Sequence, residues 1–319
     1  MERPDVLEIH SPYLAAWGAL RAAPGTYGIR TFQWHSDFID TYAGVLKASG
    51  RGGLGAKAVI AASPSLWALV RGIAKRCDAT LVASRWQAEK LRGHGVPRVE
   101  HLPFGIEHDV FRPEARSFEG RRELLALASR DGRDECAVLV GLGRFAIEKR
   151  WDVVLDAFLR VRARRDAVLV LFGAGPEIER MKARVKGSPD VVFPGFTKGR
   201  EALARALASA DALVHGCPFE TFGLSIAEAM GCGLPPVVPD EGGAAEMHVD
   251  GAGETYRSLD AVACAVAIEK MLDRLARDPD GPRMRAVEAA RRLPSVRAQF
   301  DGQVALYTEL LRTRGKPLE

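Results

Sequence analysis

Residues 212–238 read ALVHGCPFETFGLSIAEAMGCGLPPVV. Short apolar runs at 212–215 and 236–238 predict two strands, and the segment 225–230 between them has the spacing of a helix. A strand, a helix and a second strand in this order are typical of a βαβ unit, in which the two strands lie parallel. This stretch therefore predicts an α/β fold built on a parallel sheet.

The same alternation continues through the rest of the chain. Further strands are predicted at Val6–Ile9, Ile29–Phe32, Ala79–Ala83, Val99–Leu102, Ala137–Leu142, Ala167–Phe172 and Val191–Phe193. Helices are predicted between them at Leu66–Cys77, Trp86–His94, Trp151–Arg164, Glu177–Lys186 and Arg200–Ala208. Repeated alternation of this kind favours two doubly wound, Rossmann-like sheets.

A charged segment, residues 112–135, interrupts this alternation and contains one proline and two glycines. Such a composition is typical of a linker followed by a surface helix. We therefore predict one domain at 1–113, a second at 114–282 and a C-terminal helical segment at 283–319. Pro294 breaks that last segment, so the chain can change direction there and return toward the first domain.

Composition indicates an ordinary soluble protein with room for two domains. Of the 319 residues, 47% are apolar and 27% are charged, which argues against disorder and against fibrous architecture. The net charge of +4 suits an anionic small ligand or a membrane surface, but it gives no reason to expect nucleic-acid binding. The sequence has neither an apolar run long enough to span a membrane nor the N-terminal pattern of a signal peptide. These features predict a cytoplasmic protein.

Two carboxylates flank the predicted start of the helix in the first stretch. Glu220 lies in the loop before this helix and Glu228 lies one turn inside it, so both can face one ligand. The backbone N–H groups of Gly223, Leu224 and Ser225 would point at a group bound to the helix N-terminus, where the helix dipole favours an anion such as a diphosphate. Carboxylates accept hydrogen bonds from hydroxyls, so a diphosphate flanked by two glutamates indicates a nucleotide sugar.

Two cations, Arg144 and Lys149, follow the predicted strand 137–142, at the end where open α/β sheets bind ligands. They can neutralise a diphosphate leaving group by electrostatic stabilisation. No D-x-D pattern lies near them and the five cysteines form no C-x-x-C pair, so we expect neither a metal nor a cofactor. The glycines of residues 172–176, FGAGP, are predicted to serve a turn, because Ile178 stands where a dinucleotide fingerprint needs a third glycine.

Four segments, in this order and spacing, carry a resemblance to a known family. They are Arg144-Phe-x-x-Glu-Lys149, Gly173-x-Gly-Pro176, Phe193-x-Gly-Phe196 and the stretch from Glu220 to Glu228. With them, the chain from Pro4 to about Ala276 resembles the family 4 retaining glycosyltransferases of the GT-B fold. That resemblance implies two Rossmann-like domains that face a central cleft.

The resemblance also implies roles for the matched side chains of the second domain. Glu220 would contact hydroxyls of the donor hexose, and Glu228 would bind the ribose of the nucleotide. Arg144 and Lys149 match the cations that bind the donor diphosphate.

Further donor contacts and one residue of the first domain are implied in the same way. The backbone at residues 223–225 matches the phosphate-binding turn, and Phe196 lies where the base-recognition loop begins. Thr31-Phe-Gln-Trp-His35 resembles the strand end that carries the active-site histidine of the family. His10 and His215 are predicted to be structural, although His215 can line the site.

The activity implied by the resemblance is metal-independent transfer of a hexose with retention at the anomeric carbon. The strand end at Thr31 to His35 resembles mannosyltransferases that act on glycan or lipid-linked acceptors, which favours GDP-mannose over UDP-glucose and other hexose donors. A lipid-linked acceptor would bring the protein into peripheral contact with the inner face of a membrane.

Two alternatives to a glycosyltransferase stay open, a sugar-nucleotide epimerase and a non-catalytic remnant. Family members normally open with about two further β-α units, whereas this chain starts directly at the strand Val6–Ile9, so the N-terminal domain is expected to be incomplete. A sugar-nucleotide epimerase of the GT-B fold would need no acceptor. A non-catalytic remnant would bind a nucleotide sugar and transfer nothing.

Overall fold

A computed structural model describes residues 3–41 and 54–314, with side chains for 3–41 and 62–314. The strands are β1 Val6–Ile9, β2 Ile29–Trp34, β3 Ala79–Val82, β4 Val99–His101, β5 Ala137–Leu142, β6 Ala167–Phe172, β7 Val191–Gly195, β8 Ala212–Val214, β9 Pro236–Pro239 and β10 Glu254–Tyr256. The α-helices are α1 Leu14–Leu20, α2 Leu54–Ala74, α3 Arg85–Gly93, α4 Phe118–Leu127, α5 Trp151–Arg162, α6 Ile178–Arg184, α7 Arg200–Ser209, α8 Leu224–Gly231, α9 Gly242–Glu246, α10 Ala261–Arg277, α11 Gly281–Arg291 and α12 Val296–Thr313. Single 3₁₀ turns lie at Pro113–Ala115 and Ile147–Lys149.

The chain divides into two compact units, one formed by Met1–Gly105 with Val296–Glu319 and the other by Ile106–Ser295. This division differs from the predicted limits at 113/114 and 282/283. Residues 106–113 join the second unit because Phe111 is buried there and its carbonyl oxygen lies against Gly231 of α8. Helix α11 also packs on α8, so the chain leaves the second unit only after Ser295.

The first unit contains a four-stranded parallel sheet in the order β1-β2-β3-β4. Its central strands β2 and β3 are fully buried, as expected of parallel strands with both faces covered. Trp34 at the end of β2 stacks on Trp67 of α2, with ring centroids 5.8 Å apart. The C-terminal helix α12 belongs to this unit and is tied to β2 by the hydrogen bond from Gln33 Nε2 to the Tyr307 hydroxyl, 3.0 Å long.

The second unit contains a six-stranded parallel sheet in the order β10-β9-β8-β5-β6-β7. The order reverses between β5 and β8, which makes this pair the topological switch point of the sheet. Open α/β sheets bind ligands in the crevice beyond the carboxyl ends of the strands at such a point. The loops that follow β5 and β8 are therefore the natural place for a site.

The prediction of an α/β protein with two parallel sheets is confirmed, and each predicted strand is present. Strand β10 is not predicted, because its three residues form no apolar run. Its Glu254 is buried, and the carboxylate is paired with Lys270, 2.6 Å away, and with Arg274 of α10. This strand is held by ion pairs as well as by its ladder with β9.

Candidate active site

Two loops of the second unit meet at the switch point of its sheet. The first loop follows β5 and carries Arg144 and Lys149, and the second follows β8 and carries Glu220. A close approach of the two backbones joins them, because a Cβ on Gly216 would lie 2.7 Å from the carbonyl oxygen of Lys149. Any larger residue at Gly216 would push the loops apart.

Aromatic side chains hold the loop after β5 in place. Phe145 and Trp151 are buried, and the Trp151 indole N–H donates to the carbonyl oxygen of Arg144 over 3.0 Å. The turn after β6 supports the same loop, since a Cβ on Gly173 would lie 2.0 Å from the carbonyl oxygen of Gly143. These contacts give the glycines of residues 172–176 the turn function predicted for them and limit the movement of the loop that carries Lys149.

Lys149 and Glu220 form a partly buried ion pair with Nζ and Oε2 2.6 Å apart. Burial opposes the charge on both groups. The attraction of the Lys149 ammonium outweighs burial and holds the pKa of the Glu220 carboxyl well below its usual range. The carboxylate in turn raises the pKa of Lys149 despite its burial. Both groups are therefore charged at neutral pH, and the ammonium is held in place before any ligand binds.

His215 and Cys217 lie beside this pair. His215 Nε2 is 3.3 Å from Oε2 of Glu220, and burial lowers the pKa of this histidine. Burial likewise raises the pKa of the Cys217 thiol to about 12. One ligand atom each from His215, Cys217 and Glu220 lie within 4.8 Å of one another, which is close enough for a metal. A metal there would have to displace the Lys149 ammonium and deprotonate the thiol, so these residues fit a metal poorly.

Helix α8 begins at Leu224, four residues after Glu220. Gly223 precedes the helix with φ +96°, a backbone conformation that favours glycine, and Leu224 and Ser225 form the first turn. The first N–H groups of a helix have no partner within it and so can bind an anion.

A glycine pair that the sequence analysis did not single out supports this turn. The Gly243 N–H donates to the carbonyl oxygen of Glu220 over 2.7 Å, and a Cβ on Gly242 would lie 2.4 Å from the carbonyl oxygen of Pro218. The sequence signal that points to these residues is that two adjacent glycines lie shortly after the strand β9.

Glu228 is 6% exposed and lies within α8. Its Oε1 accepts a hydrogen bond of 2.9 Å from Arg200, the first residue of α7. Arg200 also donates to Glu107 over 2.8 Å and lies over the ring of Phe111. Burial raises the pKa of Glu228, and Arg200 opposes that rise. Arg200 is thus a site residue that the sequence analysis missed, because only the fold brings it to Glu228.

The other predicted residues occupy more open positions. Arg144 has a side chain that is 68% exposed and pairs with Glu148 at 2.8 Å, so it can reach a ligand at little cost. Phe196 is 78% exposed after β7. His35 follows β2 in the first unit, and its Nε2 lies 2.8 Å from Nδ1 of His10. The structure thus brings Lys149 and Glu220 together, and the roles of these residues stay predictions.

Two family models match the chain over most of its length. The model described as Glycosyltransferase Family 4 matches residues 1–110, and the model described as Glycosyl transferases group 1 matches residues 136–274. The two matched regions cover both parallel sheets.

Curated proteins similar to this chain include two that are named as mannosyltransferases. A GDP-mannose-dependent alpha-mannosyltransferase of Mycolicibacterium smegmatis is 34% identical over 82% of this chain and 63% of that relative. A GDP-mannose-dependent alpha-(1-6)-phosphatidylinositol dimannoside mannosyltransferase of Mycobacterium tuberculosis is 29% identical over 74% of this chain and 57% of that relative. The chain spans less than two thirds of the length of these relatives.

Solved structures with the same fold include glycosyltransferases of other specificity. Sucrose-phosphate synthase from Thermosynechococcus elongatus superimposes with a TM-score of 0.77 at 20% identity, covering 97% of this chain and 74% of that one. Anabaena HepE in complex with UDP and glucose superimposes with a TM-score of 0.72 at 17% identity, covering 96% and 78%. In the described part of this chain, no helix has the length and apolar character needed to cross a membrane.

Proposed function

Because the family models described as Glycosyltransferase Family 4 and Glycosyl transferases group 1 together match most of the chain, we propose that it transfers mannose from GDP-mannose to a glycan or lipid-linked acceptor with retention and without a metal. The bond between the anomeric carbon and the β-phosphate oxygen breaks, and its electron pair leaves on GDP. The acceptor hydroxyl forms the new bond on the same face, and its proton is released.

The observation that carries this proposal is the partly buried pair of Lys149 and Glu220 at the switch point. A cation held there before the reaction can stabilise the charge that develops on the departing diphosphate, without reorganisation. Glu220 holds the Lys149 ammonium in place and can still accept hydrogen bonds from hydroxyls of the hexose. Arg144 would add a second cation from the exposed part of the same loop.

The nucleotide would lie along α8. Its phosphates can accept hydrogen bonds from the N–H groups of residues 223–225, and its ribose hydroxyls can donate to the carboxylate of Glu228. Phe196 offers an exposed aromatic ring to the base. A ribose at Glu228 would share or displace the hydrogen bond from Arg200, whose side chain is half-exposed and keeps its contact with Glu107.

GDP-mannose is the proposed donor because several relatives that are 30–34% identical to this chain are named for it. A phosphatidylinositol mannoside is a suitable acceptor to test because other relatives are named for such lipids. An acceptor of this kind would place the protein in peripheral contact with a membrane.

The test is to incubate the purified chain with radiolabelled GDP-mannose and vesicles that contain phosphatidylinositol, its monomannoside or its dimannoside. Transfer should release GDP and yield a mannolipid that α-mannosidase digests, since retention keeps the anomeric configuration of the donor. A β-linked product would refute retention. Full loss of transfer on adding a chelator would refute metal independence.

Two other outcomes would replace the proposal. Conversion of the sugar nucleotide in the absence of any acceptor would identify an epimerase. Binding of GDP-mannose without turnover on any acceptor would identify a non-catalytic binding protein. The variant Lys149→Ala serves as the inactive reference in each assay.

A further inference from the structure

Arg150 has a left-handed backbone at a buried position, between the 3₁₀ turn Ile147–Lys149 and helix α5. Its φ and ψ are +50° and +41°, a region that residues other than glycine rarely adopt. Its exposed fraction is 9%. Within residues 3–41 and 54–314, the other residues besides glycine with positive φ are all exposed, namely Arg98, Ser129, Lys186 and Leu259. Arg150 thus combines burial with a strained backbone, directly beside Lys149.

A bidentate ion pair with Asp152 holds the Arg150 guanidinium. Nε and Nη2 of Arg150 donate to the two carboxylate oxygens over 3.0 and 2.9 Å. Burial opposes the charge on Asp152, but Arg150 outweighs burial and lowers the pKa of the carboxyl. The carboxylate is therefore charged at neutral pH. A bidentate pair of this kind fixes geometry as well as adding attraction.

The ion pair depends on the left-handed backbone. Asp152 lies in the first turn of α5, two residues after Arg150. Side chains two residues apart do not face each other on a helix. Both nitrogens of Arg150 can therefore reach Asp152 only because the chain leaves the helical path at residue 150. The pair consequently stabilises the left-handed conformation over a right-handed one.

The backbone at residue 150 also sets the direction of the turn that carries Lys149. Helix α5 is fixed, because seven of its twelve residues are buried. The carbonyl oxygens of Lys149 and Arg150 both lie against Gly216, where an added Cβ would meet them at 2.7 and 2.8 Å. A right-handed residue 150 would differ in φ by roughly 110°. That rotation would turn the 3₁₀ turn away from Gly216 and carry the Lys149 ammonium away from Glu220.

We infer that Arg150 is a positioning residue, whose ion pair with Asp152 holds the left-handed turn that directs the Lys149 ammonium to Glu220. The meaning of this inference for catalysis rests on the proposed function, in which Lys149 stabilises the departing diphosphate. The competing role is direct contact of Arg150 with a ligand, because its Nη1 is buried and has no hydrogen-bond partner in the part of the chain that the structure describes.

Glycine and alanine at residue 150 separate these two roles. Glycine adopts positive φ without strain, so it keeps the turn without the ion pair. Alanine removes the ion pair and keeps the strain. Arg150→Ala should lower kcat for mannosyl transfer about ten- to a hundredfold, because a small misplacement of a catalytic group has an effect of this order. Arg150→Gly should recover most of that loss, and the affinity for GDP should change little in both variants.

Asp152→Asn weakens the ion pair from its other side and should lower kcat in the same way as Arg150→Ala. When it is combined with Arg150→Gly, it should cause no further loss, because the glycine turn no longer needs the pair. Lys186→Ala is the matched control, since Lys186 has φ +48° at an exposed position, and it should leave transfer unchanged. Thermal unfolding verifies that each variant is folded.

The side-chain ¹⁵N signals of labelled lysine give a readout that needs no activity. Lys149→Arg identifies the signal of the Lys149 ammonium, and Glu220→Gln shows where this signal lies without a charged partner. Arg150→Ala and Asp152→Asn should move the Lys149 signal toward its position in Glu220→Gln. Arg150→Gly should leave it in place.

Equal losses of kcat in Arg150→Gly and Arg150→Ala would overturn the inference in favour of direct contact with a ligand. An unchanged Lys149 signal in Arg150→Ala and Asp152→Asn would also overturn it. If Arg150→Ala does not fold, the comparison of Arg150→Gly with Asp152→Asn decides. If the chain transfers nothing, the proposed function fails while the ammonium signals still decide the inference.

Discussion

Replacing Glu228 with alanine should weaken GDP binding, because this carboxylate is the proposed acceptor for the ribose hydroxyls. A hydrogen bond to a charged group contributes about 1.5–3 kcal/mol. Part of that loss is offset in the variant, because the ribose no longer competes with Arg200 for Oε1 of Glu228. The side chain of Arg200 is 50% exposed, so its ion pair contributes at most about 1 kcal/mol. The net loss is about 0.5–3 kcal/mol, roughly a two- to 150-fold rise in Kd.

Glu220 should behave differently because it faces Lys149 and the hexose. Glu220→Gln removes a negative charge but keeps an oxygen that accepts from the Lys149 ammonium. The cation is then less neutralised, so GDP should bind equally well or more tightly. Turnover of GDP-mannose should nevertheless fall, because hydroxyl contacts orient the hexose as the anomeric bond breaks. Glutamine is preferred to alanine, since a buried ammonium without a partner would destabilise the fold.

Calorimetry with GDP on Glu220→Gln and Glu228→Ala tests whether the two glutamates have these separate roles. Thermal unfolding verifies that both variants are folded. Glu201→Gln, at an exposed glutamate in the first turn of α7, is the matched control and should bind GDP normally. Equal losses of affinity for the Glu220 and Glu228 variants, or no loss for Glu228→Ala, would refute the division of roles.

The other predictions concern charge, pH and backbone geometry. Lys149→Ala should lower kcat on the order of a hundred- to a thousandfold with a smaller change in KM, because this group acts mainly in the transition state. Unchanged turnover in steady-state assays would contradict this role. Burial raises the pKa of Glu228, so the affinity for GDP should be full above that pKa and should fall as the pH drops through it. Arg200→Met removes the positive charge that opposes this rise, so the loss of affinity should move to higher pH. Calorimetry with GDP over a pH series measures both effects. Gly242→Ala should destabilise the protein by about 1–3 kcal/mol or more in urea unfolding, because Gly242 has φ +74° and its Cβ would meet a carbonyl oxygen at 2.4 Å. Gly187 has φ +70° and a Cβ there would meet nothing within 4 Å, so Gly187→Ala should lower the stability by less. Equal losses of stability for the two variants would show that the contact of residue 242 with the carbonyl oxygen of Pro218 is unimportant.

Much of the fold follows from local patterns in the chain. The run at Ala167–Phe172 is apolar throughout and forms the fully buried strand β6. The helix spacing at Trp151–Arg162 places Val154 and Phe158 in the core. These signals are local, because the side chains that decide them lie within one turn or one pleat of each other.

The candidate site could be predicted only in part. The order of the segments around Lys149 and Glu220 indicated that both belong to one donor site, and the structure places them 2.6 Å apart. The pairing of Arg200 with Glu228 could not be predicted, because nothing near Arg200 in the chain distinguishes it from an exposed arginine at a helix start. The support of the Glu220 loop by the glycine pair after β9 was also missed, although two adjacent glycines after a strand are a local signal.

The sequence by itself determined that this protein alternates strands and helices, that both sheets are parallel and that the cations and carboxylates of the proposed nucleotide-sugar site follow particular strands. Only the tertiary structure decided that β8 lies beside β5, which brings Glu220 to Lys149, and that β1 lies beside β2, which brings His10 to His35. The physical reason is that periodicity and turn chemistry act between near neighbours in the chain, whereas strand order and register are set by how all the elements share one core. Contacts between side chains far apart in the chain depend on that order and therefore have no local signal.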